Sequence, residues 1–205
     1  MTPATIRFSA VVLAAGLSRR MVGTEKLLLD VGGKPMIRAT VDNLLAAGPV
    51  ETVVVTGHAA FEVEAALAGL PVRRVRNPAY AEGQRTSVIA GFGALVAPAD
   101  AVMVVLGDQP LVRAADFAAL AAAFAALDGP SILVPHYRGR RGNPVVFGAR
   151  HIPAIAAGEV AVGSGRLIET HGDDVARVEF ASDVYVVDCD TAEDYRALAA
   201  RVAGR

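Results

Sequence analysis

Four short apolar runs, rich in β-branched residues, recur down the first half of the chain and constrain its fold more than any other feature. Helix-sized segments separate the runs, which are continuously apolar where a half-exposed sheet would alternate apolar and polar residues. The runs cover residues 8–13, 52–56, 72–75 and 101–106. The segments that suit helices cover residues 36–47, 60–68, 86–96 and 113–127. Strands covered on both faces are typical of parallel sheets with right-handed crossovers, so the pattern predicts an α/β fold, a Rossmann-like three-layer α/β/α sandwich.

A different pattern follows residue 128, where glycine and proline recur between short apolar runs. Runs at 132–134 and 145–147 flank a turn-rich stretch at 138–143, which predicts a small antiparallel excursion from the mostly parallel sheet. Two further short strands are predicted at 175–179 and 184–187. A terminal helix is expected to begin at Asp190 or Thr191. We find no linker or repeat, and we expect residues 1–205 to form a single domain.

Composition narrows the class of protein. Hydrophobic residues make up 53% of the chain and charged residues 20%, which is typical of a compact folded protein. The net charge of −1 gives no reason to expect nucleic acid or an anionic membrane as a partner, so a phosphate site must be local. The single cysteine, Cys189, indicates neither an internal disulfide nor a zinc site. Signal-peptide features and apolar stretches of membrane-spanning length are absent, so we expect a cytoplasmic location.

The first predicted strand runs into a loop, residues 13–26, that is rich in small and cationic residues. In a doubly wound sheet this connection lies at the carboxyl ends of the strands, where ligands bind. Small residues let backbone N–H groups approach an anion, and Arg19, Arg20 and Lys26 add charge that suits a polyphosphate. The loop lacks the Gly-Lys-Ser/Thr ending of a P-loop and the Gly-x-Gly-x-x-Gly spacing of a dinucleotide site. From the residue types alone, an alternative stays open in which Gly16 and Gly23 only shape turns and the cations are solvated.

Several motifs, taken in order, resemble a known family. The string Leu-Ala-Ala-Gly at 13–16, followed by Arg19 and then by Lys26 before an apolar run, resembles the signature of nucleoside-triphosphate transferases with a glycosyltransferase-A-like fold. The later motifs are Gly107-Asp108-Gln109-Pro110, Arg141-Gly142-Asn143-Pro144-Val145 and Asp188-Cys189-Asp190-Thr191-Ala192-Glu193-Asp194-Tyr195. Together they are similar to the molybdenum cofactor cytidylyltransferases over residues 11–195. Such an ordered set is much harder to obtain by chance than one glycine-containing loop.

The resemblance implies a magnesium-dependent nucleotidyltransferase and assigns roles to particular residues. Asp108 would hold Mg²⁺ together with Asp190, because Mg²⁺ is commonly bound by one or two carboxylates, substrate phosphates and waters. Catalytic roles fall on Arg20, Lys26 and Asp108. Nucleotide contacts fall on Leu13, Ala14, Ala15, Gly16, Arg19, Arg20, Lys26, Gly83 and Ser87. Asn143 would contact the acceptor.

Each assigned residue also has a purely structural interpretation. Asp108 and Asp190 suit turns and helix caps. Gly83 and Ser87 suit a turn and a helix start. Asn143 suits a tight turn. These alternatives stay open on the residue types alone.

Two local features sharpen the expected site. Asp188 and Asp190 alternate along a predicted strand, so their side chains should face opposite sides, which favours Asp190 as the second metal ligand. Ala14 and Ala15 bear on the base, because relatives with Leu-Ala-Ala-Gly use pyrimidine nucleotides and a methyl group would crowd the larger purine. The resemblance therefore favours CTP, although one methyl is worth only about 1–3 kcal/mol of discrimination.

The acceptor implied by the resemblance is the terminal phosphate of molybdopterin, the organic part of molybdenum cofactor. This phosphate is anionic at neutral pH, so transfer needs no general base and depends on alignment and charge neutralisation. The product would be the cytosine dinucleotide cofactor, with a molybdenum hydroxylase as the implied client. Two alternatives remain: a transferase for another phosphorylated metabolite, and a carrier of molybdenum cofactor with little turnover of its own.

Overall fold

The computed structural model describes residues 6–17, 25–160 and 172–204. Eight strands and six α-helices lie within these ranges. The strands are β1 (Phe8–Ala14), β2 (Thr52–Thr56), β3 (Arg73–Arg76), β4 (Ala101–Leu106), β5 (Ile132–Tyr137), β6 (Arg140–Arg141), β7 (Val145–Gly148) and β8 (Val175–Glu179). The helices are α1 (Met36–Leu45), α2 (Ala60–Ala66), α3 (Gln84–Gly93), α4 (Ala114–Ala125), α5 (Ile152–Ala156) and α6 (Ala192–Ala203).

The described strands form one mixed sheet. Strands β3, β2, β1 and β4 lie side by side in that order and are parallel, with Val11 of β1 opposite Val53 of β2 and Val104 of β4. The next strand, β7, is antiparallel to β4, and β5 is antiparallel to β7. β5 also pairs with β6 in antiparallel fashion and with β8 in parallel fashion. The prediction of a mostly parallel α/β sheet with a small antiparallel part is confirmed.

Side chains alternate between the two faces of the sheet and enter two separate cores. On β1, Ala10 and Val12 belong to the core that also contains side chains of α1, α2, α4 and α6, whereas Val11 belongs to the core that contains side chains of α3 and α5. The central strands are apolar on both faces for this reason. α3 packs so closely that a Cβ atom on Gly91 would lie 2.3 Å from Cγ1 of Val11.

Four apolar residues on one face of α1 fix this helix to the sheet and form an apolar stripe. Met36, Ile37, Val41 and Leu44 follow the three-to-four-residue spacing of one helix face, and all four are fully buried. Burying a side chain of this size stabilises the fold by roughly 1.5–3 kcal/mol. The stripe therefore anchors α1 beside the loop that leaves β4.

The antiparallel part contains the predicted hairpin. β5 and β6 are joined by Arg138 and Gly139, whose φ angles of 50° and 75° are those of a two-residue turn with both central residues left-handed. The chain then passes Gly142 and a cis Asn143–Pro144 peptide bond into β7. Gly142 donates its N–H to the carbonyl of Pro135 at 2.7 Å, which ties this crossing to β5.

The strand predicted at 184–187 is wrong. A 3₁₀ turn covers Asp183–Val186, and its carbonyls accept hydrogen bonds from a side chain and a loop where a strand would pair with another strand. The carbonyl of Tyr185 accepts from Nε2 of Gln109 at 3.3 Å and from the N–H of Asn143 at 2.8 Å. The Tyr185 ring is buried in the core, and its hydroxyl donates to the carbonyl of Asp116 at 3.0 Å. An apolar run is therefore buried here without joining the sheet.

The other predicted strands and helices are present, with small shifts at their ends. The largest shift is at α3, which was predicted at 86–96 and spans Gln84–Gly93. The short helix α5 was not predicted. Among the described residues, no helix has the length and apolar character that crossing a membrane requires.

Candidate active site

A cleft of about 600 Å³ opens at the carboxyl ends of β1 and β4. Three connections supply its walls: the loop after β1, the segment that leads into α3, and the loop after β4. The segment before α6 closes one side. The residues that line the cleft are Leu13, Ala15, Gly16, Leu17, Lys26, Leu27, Tyr80, Ala81, Gly83, Gln84, Ser87, Leu106, Gly107, Asp108, Asp188 and Asp190. Most of the residues expected to bind the nucleotide therefore meet at one place.

The β1 loop contributes the floor. Leu13, Ala15 and Gly16 line the cleft, whereas Ala14 is 1% exposed and points into the core on the opposite face of β1. The expectation that both alanines shape the base site is therefore corrected, because successive side chains of a strand face opposite sides. The backbone here is fixed by a hydrogen bond from the N–H of Gly107 to the carbonyl of Leu13, at 3.1 Å. Arg19 and Arg20, which were assigned phosphate contacts, lie outside the described residues.

Lys26 stands at the centre of the charged side of the cleft. It begins a 3₁₀ turn, Lys26–Leu28, that is capped by Glu25. Its Nζ donates to Oδ2 of Asp108 at 2.5 Å and lies 3.3 Å from Oδ1 of Asp190. The carbonyl of Cys189 accepts a third bond from the same nitrogen, at 2.9 Å. Asp108 and Asp190, which were predicted from two distant motifs, are therefore brought together around the ammonium group of Lys26.

The surroundings of Lys26 favour its charged form. Burial alone would lower the pKa of this lysine, but the charges and hydrogen bonds of Asp108 and Asp190 outweigh burial and raise the pKa above its ordinary value. Lys26 is therefore a cation held between two carboxylates at neutral pH.

Asp188 also lines the cleft, which contradicts the expectation that it faces away from Asp190. The expectation assumed strand alternation, and the segment is not a strand. Burial raises the pKa of Asp188 above its ordinary value, and the neighbouring charges of Asp108 and Asp190 raise it further. The described cleft is therefore rich in negative charge close to Lys26.

The opposite wall comes from the start of α3. Gly83 has a φ of 124°, which L side chains rarely adopt, and it precedes the first residue of the helix. Ser87 is buried, and its Oγ accepts a hydrogen bond from Nδ2 of Asn77 at 2.9 Å. The same amide nitrogen donates to Oγ1 of Thr86 at 2.8 Å. Gly83 and Ser87 thus lie on a wall whose polar groups are fixed by one buried amide.

Asn143 is not among the residues that line the cleft. Its N–H is bound to the carbonyl of Tyr185, at the bend between β6 and β7. β7 is the neighbour of β4, so Asn143 lies beside the cleft on the side away from β1. Its role as an acceptor contact stays a prediction.

The family follows from a comparison with known domains. A model of the MobA-like NTP transferase domain matches residues 10–175. The chain belongs to this family. The match takes in the β1 loop, Lys26, the α3 segment and Asp108, and it ends before Asp188 and Asp190.

Relatives with established names span several activities. The nicotine blue oxidoreductase of Paenarthrobacter nicotinovorans is 31% identical over 159 residues, which cover 73% of this chain and 74% of that protein. The bifunctional protein GlmU of Sorangium cellulosum is 38% identical over 111 residues, 51% of this chain but 23% of the relative. The chain thus spans about a quarter of the length of the GlmU proteins that it matches. Proteins whose names indicate different activities therefore share sequence with this chain.

Solved structures agree with this assignment. A nucleotidyl transferase from Methanothermobacter is 30% identical and superposes with a TM-score of 0.80, covering 97% of this chain and 98% of that one. A manganese complex of Rv0371C from Mycobacterium tuberculosis is 26% identical, with a TM-score of 0.77 and coverage of 95% and 98%. The MobA-like NTP transferase fold therefore extends over nearly the whole chain.

The acidic side chains of the cleft are of the kind that binds a divalent cation. Three carboxylates line it, those of Asp108, Asp188 and Asp190, against the single lysine Lys26 among the described lining residues. In the described ranges, no three His, Cys, Asp or Glu side chains come close enough together to hold a metal ion by themselves. Mg²⁺ typically takes one or two carboxylates and completes its coordination with phosphates and water. The carboxylates of this MobA-like domain match that pattern.

Proposed function

We propose that the protein transfers CMP from CTP to the terminal phosphate of molybdopterin, with Mg²⁺ as the metal ion, and releases pyrophosphate. The observation that carries the proposal is the contact of one lysine nitrogen with two aspartates from distant motifs, Lys26 with Asp108 and Asp190, at the mouth of the nucleotide cleft. The resemblance of the three later sequence motifs to molybdenum cofactor cytidylyltransferases supports the choice of acceptor.

Charge explains why a divalent cation is part of the proposal. A triphosphate would meet the carboxylates of Asp108, Asp188 and Asp190, and Lys26 neutralises only one of them. Asp108 and Asp190 would hold the ion, since both already contact a cation at the same place. When bound, Mg²⁺ supplies positive charge that offsets the carboxylates and the negative charge on the phosphates during transfer.

The side chains of the protein would align the acceptor phosphate with CTP and neutralise the negative charge of both. An oxygen of the acceptor phosphate attacks the α-phosphorus of CTP, the bond from that phosphorus to the bridging oxygen breaks, and pyrophosphate leaves. Lys26 is charged and can follow the phosphate oxygens as their charge shifts. Arg20 is proposed to share this task, as the family resemblance implies. The acceptor is already anionic, so no side chain has to remove a proton.

A steric contact supports CTP. The methyl group of Ala15 lines the cleft and is confined from behind, since a Cβ atom on Gly57 would lie 2.9 Å from the Cβ of Ala15. Tyr80 packs on the same glycine, at 2.7 Å from that position. In the proposed complex the base lies over Ala15, whose methyl group cannot move away from the cleft, and this favours the smaller pyrimidine ring.

The test is a transfer assay with purified protein, molybdopterin, Mg²⁺ and each common nucleoside triphosphate labelled at the α-phosphate. We expect labelled dinucleotide and pyrophosphate with CTP, and little product with GTP or ATP. Asp108→Asn should abolish most product, whereas Asp42→Asn, which removes a surface partner of Lys34 and Arg38, should not. Absence of dinucleotide with every nucleotide would refute the proposal.

The same assay separates the alternatives. Product with a sugar phosphate but not with molybdopterin would keep the chemistry and replace the acceptor. Tight binding of molybdenum cofactor without turnover would indicate a carrier. The similarity to nicotine blue oxidoreductase adds a redox candidate, which reduction of nicotine blue by an added electron donor would reveal.

A further inference from the structure

Arg141 lies on the face of the sheet that carries the nucleotide cleft. Leu13 and Leu106 are opposite each other on β1 and β4, and both line the cleft. Their side chains share a face with the core of α3 and α5, to which Val134 of β5 also belongs. His136, two residues later on β5, faces the same way, and Arg141 is its cross-strand partner. The guanidinium of Arg141 is therefore on the cleft side of the sheet, beyond β4.

This guanidinium has no partner in the part of the chain that the structure describes. Arg141 is half-buried, its Nε is fully buried without a hydrogen-bond partner, and no carboxylate forms an ion pair with it. Burial lowers the pKa of Arg141, with no neighbouring charge acting against that effect. An arginine nevertheless stays charged at neutral pH. A half-buried charge without a counter-charge among the described residues costs free energy, which makes this guanidinium suited to binding an anion from outside the chain.

The neighbouring Arg140 is a contrasting case. It points to the opposite face, where its Nη2 donates to the carbonyl of Val186 at 3.3 Å, and its side chain is exposed. Two consecutive arginines on one short strand therefore have different surroundings. Arg140 is exposed and bound to a backbone carbonyl, whereas Arg141 is half-buried and has no acceptor among the described residues.

The backbone beneath Arg141 is rigidly held. The N–H of Gly142 donates to Pro135, and the carbonyl of Tyr185 comes so close that a Cβ atom on Gly142 would lie 2.6 Å from it. The N–H of Asn143 donates to the same carbonyl at 2.8 Å. Only glycine fits at 142, and the guanidinium is presented from a fixed hairpin, which reduces the ordering cost of binding an anion.

We propose that Arg141 binds the phosphate group of the acceptor. The inference rests on the proposed function and deepens it by assigning the acceptor side of the reaction. Lys26 follows β1 on one side of β4, and Arg141 ends β6 on the other side, separated by three residues from the start of β7, the other neighbour of β4. Arg141 is not among the residues that line the cleft, so the proposal places the acceptor phosphate at the edge of the cleft next to β7. A guanidinium can bind two phosphate oxygens at once with its planar fork, which orients an acceptor phosphate as well as neutralising it.

The experiment measures binding of two probes, molybdopterin and the same compound after enzymatic removal of its phosphate, without CTP or metal. The variants are Arg141→Met, which keeps an apolar stem of similar length, Arg141→Lys, and the matched control Arg140→Met. We expect Arg141→Met to weaken molybdopterin binding about 10- to 100-fold and to leave binding of the dephosphorylated probe unchanged. Arg141→Lys should recover part of the loss, and Arg140→Met should bind both probes like the parent protein.

Thermal unfolding separates this role from a structural one. Removing an unpaired, half-buried charge should leave the unfolding midpoint of Arg141→Met unchanged or raise it. Equal loss of both probes with a lower midpoint, no loss of either, or a parent protein that does not prefer the phosphorylated probe would each overturn the proposal. The outcome does not depend on turnover: Arg141-dependent binding without dinucleotide formation would refute the proposed function and retain the anion site.

Discussion

Two polar clusters lie at opposite edges of the same sheet and are built from similar residues. The cleft cluster, at the carboxyl edge, consists of Lys26, Asp108, Asp188 and Asp190. The clamp cluster, at the amino edge, consists of Ser131 before β5, Arg150 and His151 after β7, and Asp174 before β8. Both combine carboxylates with cations, and both join segments that are distant in sequence. They differ in whether their charges balance.

The polar groups of the clamp cluster form hydrogen bonds with one another. Asp174 accepts from the N–H of Ser131 at 2.8 Å and from Nη2 of Arg150 at 2.5 Å. Burial would raise the pKa of Asp174, but the hydrogen bonds from Arg150 and Ser131 outweigh burial and lower it. One nitrogen of His151, Nε2, faces both Oγ of Ser131 (2.6 Å) and the carboxylate of Asp174 (3.2 Å). A serine-hydrolase relay needs its two partners on different ring nitrogens, so the geometry does not fit such a relay.

The cleft cluster is unbalanced, and its Asp188 has a raised pKa where Asp174 of the clamp cluster has a lowered one. A raised carboxyl pKa means that the folded protein disfavours the charged form of Asp188, so keeping this charge lowers the stability of the fold. Such costs are typical of sites that a ligand completes. The comparison therefore supports the proposal that the clamp cluster stabilises the fold and that the cleft cluster binds a ligand.

The largest effect is expected from Asp108→Asn. Loss of this carboxylate should reduce kcat/KM for CMP transfer by about 10³-fold, because metal binding and charge stabilisation at the phosphates both depend on it. The unfolding midpoint without metal should change little, since loss of the ion pair with Lys26 is opposed by relief of the repulsion between Asp108 and Asp188. A large loss of stability with activity retained would reverse the roles assigned to the two clusters.

Asp174→Asn should give the opposite result. Unfolding free energy should fall by about 2 kcal/mol, since a charge-assisted network loses its acceptor, while kcat/KM stays unchanged. The pH dependence follows from the lowered pKa: the stabilisation is complete above the ordinary carboxyl pKa of about 4 and disappears as pH falls through the folded-state value. The difference in stability between parent and variant should therefore shrink under acid conditions. Chemical denaturation at neutral and low pH measures it, and a constant difference would contradict the assignment.

Gln109→Leu tests how the cleft cluster is positioned. The buried Nε2 of Gln109 donates to the carbonyls of Tyr185 and Val187, both at 3.3 Å, and so fixes the segment that leads to Asp188 and Asp190. Loss of these bonds should raise the Mg²⁺ concentration for half-maximal activity about tenfold, as is typical when groups behind a metal ligand are removed. An unchanged Mg²⁺ dependence, with only the unfolding midpoint lowered, would mean that Gln109 supports the fold and not the metal site.

Regions whose structure depends on nearby residues were predicted correctly from the sequence. A region whose structure depends on distant residues was not. β1, β2 and β4 were predictable because burial on both faces requires continuous apolar runs, and the hairpin because Gly139 and its neighbours determine a tight turn. Residues 184–187 have a strand-like composition, but the partners of their carbonyls, Gln109 and Asn143, lie far away in the chain. The same error affected Asp188. Its side chain was predicted to point away from Asp190 because successive residues of a strand face opposite sides.

The residues of the candidate site likewise divide into those that the sequence predicted and those that it did not. Lys26, Asp108 and Asp190 were predicted as a group because each belongs to a motif that resembles the same family of transferases. The importance of Gln109 and Arg141 was not seen, although both stand inside quoted motifs, because burial and the lack of a partner are properties of the packed structure. Tyr80 and Gln84 also line the cleft and were not assigned, since nothing distinguishes them from ordinary turn and helix-start residues.

The central claim is that the cleft cluster becomes a triphosphate site when a divalent cation joins it. The most direct test is the affinity of the parent protein for CTP, measured by titration calorimetry with Mg²⁺ and again with a chelator. We expect binding in the presence of Mg²⁺ that weakens about 100-fold or more without it, because three carboxylates then face the phosphates with little compensation. Equal affinity for CTP in both conditions would contradict the account.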